Sequence, residues 1–287
     1  MKQALCSISC NVEVMPGVNL MSIEAPDIAA TAQPGQFITV RCGDFTLRRP
    51  FSIHRSSPLR GDDTAEGQIA ILFKVAGKGT LWLSQQKARQ KIDILGPLGK
   101  GFAIEPKSER LLLVAGGIGI APLVFLMQQA SAQHQITLIQ GARTAFQLYP
   151  FSSEGKKRTG LSPLPKRVQF SPLTEDGSVG QKGRATDVLP DYLDWADQVY
   201  ACGPIDMYKA MARSFSSSPL KGEDKGEGEK RINLKLKRCQ VSLEVRMGCG
   251  FGACYCCTIN TKKGLRQVCR DGPVFELDDI LWQEVRI

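Results

Sequence analysis

The sequence predicts three units in series: an antiparallel β-barrel or sandwich, an α/β unit with a parallel sheet, and a small cysteine-rich C-terminal module. Three observations carry this reading. Residues 5–95 form short alternating runs punctuated by Pro and Gly, as antiparallel strands do. From residue 110 onward, apolar strands alternate with segments of helical spacing, the pattern of a parallel sheet covered on both faces. Between residues 249 and 269, five cysteines fall within twenty-one positions. The boundaries drawn from these shifts are 1–103, 104–235 and 236–287.

A chain of 287 residues with 43% hydrophobic content can bury two cores and a small third module. Its longest apolar stretch, Leu111 to Ala115 followed by GGIGIAPLVFLM, is broken by three glycines and a proline, so no membrane span is expected. The opening MKQALCSISCNVEVMPG lacks the apolar core of a signal peptide, and the expectation is a cytoplasmic protein. Thiols stay reduced there, so ten cysteines argue against a disulfide framework and their clustering argues for metal. Cys6, Cys10, Cys42, Cys202 and Cys239 lie outside the cluster and read as small buried hydrophobes.

The net charge of +9 raises nucleic acid as a partner, but its placement argues against one. Residues 154–167 contribute five basic groups and one acid, and 216–238 contribute seven and four. Neither stretch interleaves aromatics with its lysines as a strand-binding groove would. The segment SSPLRGDDTAEG at 56–67 is repeated in eight of twelve positions by SSPLKGEDKGEG at 217–228, with a weaker echo, LSPLPKR, at 161–167. These stretches lack the large apolar side chains of a stacked repeat. They read as polar loops (56–67, 152–167 and 216–235), either inserted into the fold or ordinary linkers, with the chemistry elsewhere.

The first unit takes its strands from ALCSISCNVEV, VNLMSIEA, QFITVRC, RPFSIHR, QIAILFKV and KIDIL. Pro34 and Gly35 make a turn, and LGPLG at 95–99 closes the last strand. In Arg48-Arg49-Pro50-Phe51-Ser52-Ile53 an arginine and a serine suit a phosphate and the aromatic suits a flat ring; taken by itself the motif fits an edge-strand arginine beside a core phenylalanine better. The run Leu72-Phe73-Lys74 then passes through a glycine-spaced turn into Gly79-Thr80, where Thr80 is expected to cap a helix whose free amides suit a diphosphate.

In the second unit, RLLLVAGGIGIAPLVFLM places Gly116, Gly117 and Gly119 between an apolar strand and a helix with Pro122 in its first turn. That arrangement lets backbone amides approach a pyrophosphate, although the spacing is GGIG and not GxGxxG. Further strands are expected at 136–143, 167–173 and 197–204, the last ending in Cys202-Gly203-Pro204 before a helical IDMYKAMARSF. Ligands of open α/β sheets bind at such strand ends.

In the third, Cys249, Cys254, Cys257 and Cys269 are spaced C-x4-C-x2-C-x11-C. The first two intervals match the plant-type [2Fe-2S] signature, and the surrounding glycines leave amides available to the sulfurs. Four thiolates can also hold zinc, but usually as two short cysteine pairs. Cys256 is a fifth thiol beside Cys257; the x2 spacing favours Cys257 as ligand.

RPFS and GKGT resemble the FAD-binding elements of the ferredoxin-reductase superfamily, which implies a six-stranded Greek-key barrel with FAD at its rim. GGIGIAP and CGP are similar to its nicotinamide elements, as are Thr174-Glu175-Asp176-Gly177-Ser178 with Gly180 and Gly183. The resemblance implies FAD contacts from Arg49, Pro50, Phe51, Ser52, Leu72, Phe73, Lys74, Gly79 and Thr80. For NAD as substrate it implies Gly116, Gly117, Gly119, Cys202, Gly203 and Pro204. Cys202 would lie near the nicotinamide, or it is simply a buried strand cysteine. Arg143 could meet a 2′-phosphate if the nucleotide were NADP.

CGFGACYCC, VCRDGPVF and RPFSI together resemble the electron-transfer subunits of type 1B dihydroorotate dehydrogenases. The likeness implies a route from dihydroorotate through FMN on a separate catalytic subunit, then [2Fe-2S] and FAD in this chain, to NAD⁺, in a complex of two copies of each. Another FAD/[2Fe-2S] subunit, ferredoxin- or sulfide-linked, is the alternative.

Overall fold

The computed structural model describes residues 1–57, 67–151, 161–216 and 238–285. The alternating runs become β1 (Lys2–Met15), β2 (Val18–Glu24), β3 (Phe37–Val40), β4 (Arg49–Ser57), β5 (Gln68–Lys74) and β6 (Lys91–Leu98), with short helices α1 (Pro26–Ala29) and α2 (Lys78–Ser84). They close into a barrel in the order β1-β2-β5-β4-β3-β6, every neighbouring pair antiparallel. β3, β4 and β5 form a meander and β6 returns beside β3, which is a Greek key. Closure leaves no open sheet edge. Ile8, Met21, Ile38, Ile53 and Ile71 fill the interior.

Two local expectations shift. The last strand closes inside LGPLG, but it runs past Leu95 through Gly96 and Pro97 to Leu98 before ending. The register jumps there from Phe37 opposite Leu98 to Thr39 opposite Leu95, and this bulge tolerates a residue with no amide hydrogen. Thr80 is not the cap of α2. The helix opens at Lys78 behind Gly77, and from its third position the Thr80 hydroxyl accepts hydrogen bonds from the amides of Ala76 (2.9 Å) and Gly77 (3.1 Å). Glycine serves as a cap nearly as well, and a hydroxyl three residues on reaches back to it.

The second unit comprises β7 (Arg110–Gly116), α3 (Ile120–Ala130), β8 (Gln135–Ala142), β9 (Val168–Thr174), β10 (Gln181–Lys182), α4 (Leu189–Leu193), β11 (Gln198–Cys202) and α5 (Ile205–Ser216). After it come β12 (Cys239–Ser242), the hairpin β13 (Thr258–Thr261) and β14 (Gly264–Gln267), α6 (Val268–Asp271) and β15 (Val274–Glu276). The sheet order is β10-β9-β8-β7-β11-β12-β15, parallel except for β15. Alternation along β7 sends Leu111, Leu113 and Ala115 to the face packed by α3, and Leu112 and Val114 to the face packed by α4 and α5. That is why this strand reads as continuously apolar.

The cysteine-rich segment is joined to this sheet through β12 and β15 and carries its loop between them. Cys257, Val268, Cys269 and Trp282 share one apolar core with Val114 and Val199 of the sheet and with Phe37 and Leu98 of the barrel. The three segments therefore meet at one place. The polar stretches expected as loops lie mostly outside the described residues. Among the described residues, no helix is long and apolar enough to cross a membrane.

Candidate redox site

From β7 the chain builds β8 and β9 to one side, then returns to place β11 and β12 on the other, so the C-terminal ends of β7 and β11 flank a topological switch point. The glycines there let two backbones touch. A Cβ on Gly119 would sit 2.1 Å from the Cys202 carbonyl oxygen, and one on Gly116 would sit 2.6 Å from Pro204 Cδ. The resulting crevice is a cavity of about 550 Å³ lined by Gly116, Gly117, Gly119, Gly203 and Pro204, so five of the six residues expected at the nicotinamide nucleotide come together. Cys202 does not join them. Its side chain is fully buried, burial raises its thiol pKa, and it lines none of the crevice. Beside it the Tyr208 hydroxyl accepts from the Gly203 amide (2.9 Å) and donates to the Ser242 carbonyl (2.7 Å), pinning the turn after β11 to β12.

Arg143, Glu175 and Arg184 also line the crevice. Glu175 and Arg184 approach only to 4.0 Å and are both well exposed, so their pairing contributes little.

A second cavity, about 330 Å³, opens between the barrel and the sheet. β4 supplies Pro50, Phe51 and Ser52, and β5 supplies Leu72, Phe73 and Lys74, so six of the nine residues assigned to FAD from the sequence line one space. The rings of Phe51 and Phe73 lie 5.5 Å apart and form an apolar wall. The two adjacent arginines divide their roles. Arg48 makes a half-buried ion pair with Asp93 at 2.6 Å, tying β6 to the approach to β4. Arg49 lies against Gly79, where a Cβ would be 3.2 Å from its Nε, so the RPFS and GKGT segments are in contact. Thr80 spends its hydroxyl on the α2 turn and lines neither cavity.

The two cavities share walls at Lys74, Ile118 and Glu244. Glu244 is an exposed residue on the lining of both cavities, and desolvation by the protein around it raises its carboxyl pKa. Sequence reasoning gave no site role to Glu244, Met247 or Pro273, although all three line the second cavity. The first two sit in the stretch CQVSLEVRMGCG just before the cysteine loop, and that proximity was the available signal.

The cysteine loop abuts this cavity: Met247 lines it, and a Cβ on Gly250 would touch Thr39 Cγ2 of β3 at 2.7 Å. Gly250 and Gly252 have positive φ (82° and 96°), which bends the loop around its own sulfurs. The Ala253 amide donates to Cys249 Sγ (3.2 Å), the Cys249 amide to Cys254 Sγ (3.3 Å) and the Cys269 amide to Cys257 Sγ (3.4 Å). Burial opposes ionisation of Cys249, but the amides of Phe251 and Ala253 and the contact with Cys254 outweigh it and bring the thiol down to about 6. Burial and the neighbouring Cys257 push Cys269 up to about 12.

Cys249 interacts with Cys254 and Cys257 with Cys269, and the charge of Cys249 also reaches Cys269. Among the described residues no three metal-ligating side chains gather round one point. Two thiol pairs fed by backbone amides fit two irons with two thiolates each better than a single tetrahedral ion.

A Greek-key barrel, a parallel sheet with its crevice at the switch point, and a four-cysteine loop at their junction define a ferredoxin reductase-like electron-transfer protein. Comparison with known proteins makes the assignment specific. Residues 244–281 match the iron-sulfur cluster binding domain of dihydroorotate dehydrogenase B, and residues 113–213 match the oxidoreductase NAD-binding domain. The chain is 36% identical over 283 residues to the dihydroorotate dehydrogenase B (NAD(+)) electron transfer subunit of Desulforamulus reducens, covering 94% of this chain and 95% of the relative. It is 31% identical to that of Shouchella clausii, covering 98% of each. A solved structure of NADH-dependent reduced ferredoxin-NADP oxidoreductase superposes with a TM-score of 0.77 at 27% identity, covering 98% of this chain and 91% of that one. The chain belongs to the family of dihydroorotate dehydrogenase B electron transfer subunits.

Proposed function

We propose that this chain carries electrons from the FMN of a dihydroorotate dehydrogenase catalytic subunit, through a [2Fe-2S] cluster and FAD, to NAD⁺ in pyrimidine biosynthesis. In this reading Cys249, Cys254, Cys257 and Cys269 ligate the cluster. Pro50, Phe51, Ser52, Leu72, Phe73 and Lys74 hold the isoalloxazine, with Arg49, Gly79 and Thr80 towards the diphosphate. Gly116, Gly117, Gly119, Gly203 and Pro204 receive NAD. The observation that carries the reading is the order of the sites: the 330 Å³ cavity shares Lys74, Ile118 and Glu244 with the nucleotide crevice and Met247 with the cluster loop.

When bound, FAD supplies the exchange between the two-electron chemistry of a nicotinamide and the one-electron chemistry of a cluster. The chain's residues supply position and surroundings. Phe51 and Phe73 give an apolar ring wall, the glycine turns present amides to a pyrophosphate, and the loop amides stabilise thiolates. Lys74, on the wall common to both cavities, places a cation where negative charge would build on a reduced ring. The partner is an FMN-bearing catalytic subunit in a complex of two copies of each chain, and the reduced thiols suit a cytoplasmic setting.

The likeness to the ferredoxin-NADP oxidoreductase supports a second reading, a ferredoxin-linked subunit. One experiment separates the possibilities: anaerobic purification with the native partner, followed by a visible spectrum and assays of iron, sulfide and flavins. The proposal expects about two irons, two sulfides and one FAD per chain, with FMN on a co-purifying subunit. Zinc, or a colourless protein, overturns it, and co-purification with a ferredoxin in place of an FMN protein favours the second reading.

A further inference from the structure

We propose that His54 is a positioning residue that fixes the nicotinamide-side glycine turn against the flavin-side strand. The inference rests on the cofactor assignment just given. Opposite β5, Ile53 faces Ile71 and Arg55 faces Ala70, which makes His54 the extra residue of a β-bulge. Bulges cluster beside functional sites because they re-aim a side chain. Here Ile53 points into the barrel core, whereas both ring nitrogens of His54 find partners beyond the barrel. Nδ1 is 3.1 Å from the carbonyl oxygen of Ala121 in the first turn of α3, and Nε2 is 3.0 Å from the Tyr149 hydroxyl. A carbonyl can only accept, so Nδ1 carries the proton and Nε2 accepts from Tyr149. The Tyr149 hydroxyl in turn accepts from the Ser162 amide (3.3 Å), and the Tyr149 amide donates to Gln140 Oε1 (3.2 Å). The network thus anchors to the central sheet through β8.

The clamp joins the walls of both cavities. Two residues before His54, β4 contributes Pro50 to Ser52 to the flavin-side cavity; Ala121 lines that same cavity, and Ile118 lines both. Phe125 of α3 packs into the barrel core, and the Arg55 guanidinium lies near enough to His54 and Tyr149 to act on both electrostatically. Apolar packing is non-directional and holds the two halves together without fixing their register. Two hydrogen bonds from one rigid, fully buried ring restrict angle as well as distance. Hydride transfer needs that restriction, because a misplacement of about 1 Å between donor and acceptor can cost about 100-fold in rate.

The test compares the full chain, loaded with FAD and cluster, as wild type, Tyr149→Phe and His54→Phe. Tyr149→Phe removes one hydroxyl; His54→Phe removes both bonds at similar volume. In anaerobic single-turnover reduction by NADH, the limiting rate of flavin bleaching is expected to fall roughly 10-fold in Tyr149→Phe and roughly 100-fold in His54→Phe. FAD content and the NADH concentration for half-maximal rate should stay within about twofold. In the cofactor-free chain, hydrogen exchange should quicken about 10-fold at the amides of 118–125 and stay unchanged in β1 and β2. Unchanged bleaching with unchanged exchange overturns the inference. So does a uniform loss of protection with an unaltered rate per folded chain, which would mark a merely structural histidine. If His54→Phe does not fold, Tyr149→Phe decides. If wild-type FAD is not bleached by NADH, the cofactor assignment fails first, and the exchange data still show whether the clamp orders the turn.

Discussion

The cysteine loop and the paired cavities hold redox groups in opposite ways. In the loop, three of the four proposed ligands fall within nine residues, Cys254 is exposed, and the work is done by thiols and the amides beside them. The cavity walls come from places as distant as Phe37 and Pro273, and what matters there is how closely backbones approach. A site written locally should fail locally when a single side chain changes. A site assembled by packing should fail through volume and register, and should take stability with it.

The sharpest test of the local half is Cys257→Ser. Cys257 is buried and accepts the Cys269 amide, so a serine leaves one proposed iron short of a thiolate. Iron and sulfide are expected to fall below about a tenth of wild type, while FAD content and NADH-driven dye reduction stay within about twofold, because the cavities keep their walls. Loss of flavin together with iron would break the contrast.

Gly119→Ala probes the assembled half. Its methyl group would be 2.1 Å from a carbonyl oxygen on β11, where no flexible side chain can give way. The backbones must separate, at a cost of about 3 kcal/mol in unfolding free energy and roughly 100-fold in NADH-driven flavin reduction, with iron per folded chain unchanged. Urea titration and stopped-flow reduction check the two effects.

The same contrast decides what the sequence made legible. The cluster ligands were readable because their spacing is a chain-local property, and the strands of the barrel were readable from alternation. The RPFS and GKGT segments were recognisable one at a time, but the contact of Arg49 with Gly79 is a product of closure. Glu244 and Met247 escaped for that reason, since nothing in LEVRM says that it lies behind a cavity built by β4 and β5. Cys202, for which the sequence left two readings open, shows the reverse case. A cysteine at a strand end fits the motif, yet the β11 turn exposes the glycine and proline that follow and buries the thiol.

A smaller, pH-dependent effect follows from His54. Burial holds its imidazole down to about 3, despite the Ala121 carbonyl, and the Arg55 guanidinium depresses it further; Tyr149 faces it from the other side. The unfolded chain, with an ordinary pKa near 6.5, therefore binds more protons between those limits. The sign is that stability is fully present above about pH 6.5 and is lost as pH falls towards 3, at up to about 1.4 kcal/mol per pH unit from this residue. Urea unfolding from pH 7 to 5 should be less steep in His54→Phe than in wild type, by about 1 kcal/mol per pH unit on average because the unfolded imidazole is only partly protonated near pH 6.5. Equal slopes would mean that acid opens the assembled half somewhere else.

The smallest expected effect separates two adjacent thiols. Cys256 is exposed, and its sulfur comes no closer than 4.0 Å to the Arg246 carbonyl, an interaction of little strength. Tyr255, with φ of 57°, turns the chain so that Cys257 faces the core beside Cys269 while its neighbour faces out. Cys256→Ser should therefore leave iron, sulfide and the anaerobic spectrum unchanged, in contrast to the near-complete loss in Cys257→Ser. A loop is local in sequence but still directional in space, so two thiols one residue apart differ as much as a ligand and a bystander. If Cys256→Ser lost iron and Cys257→Ser kept it, the pairing of Cys257 with Cys269 would be the wrong half of the cluster.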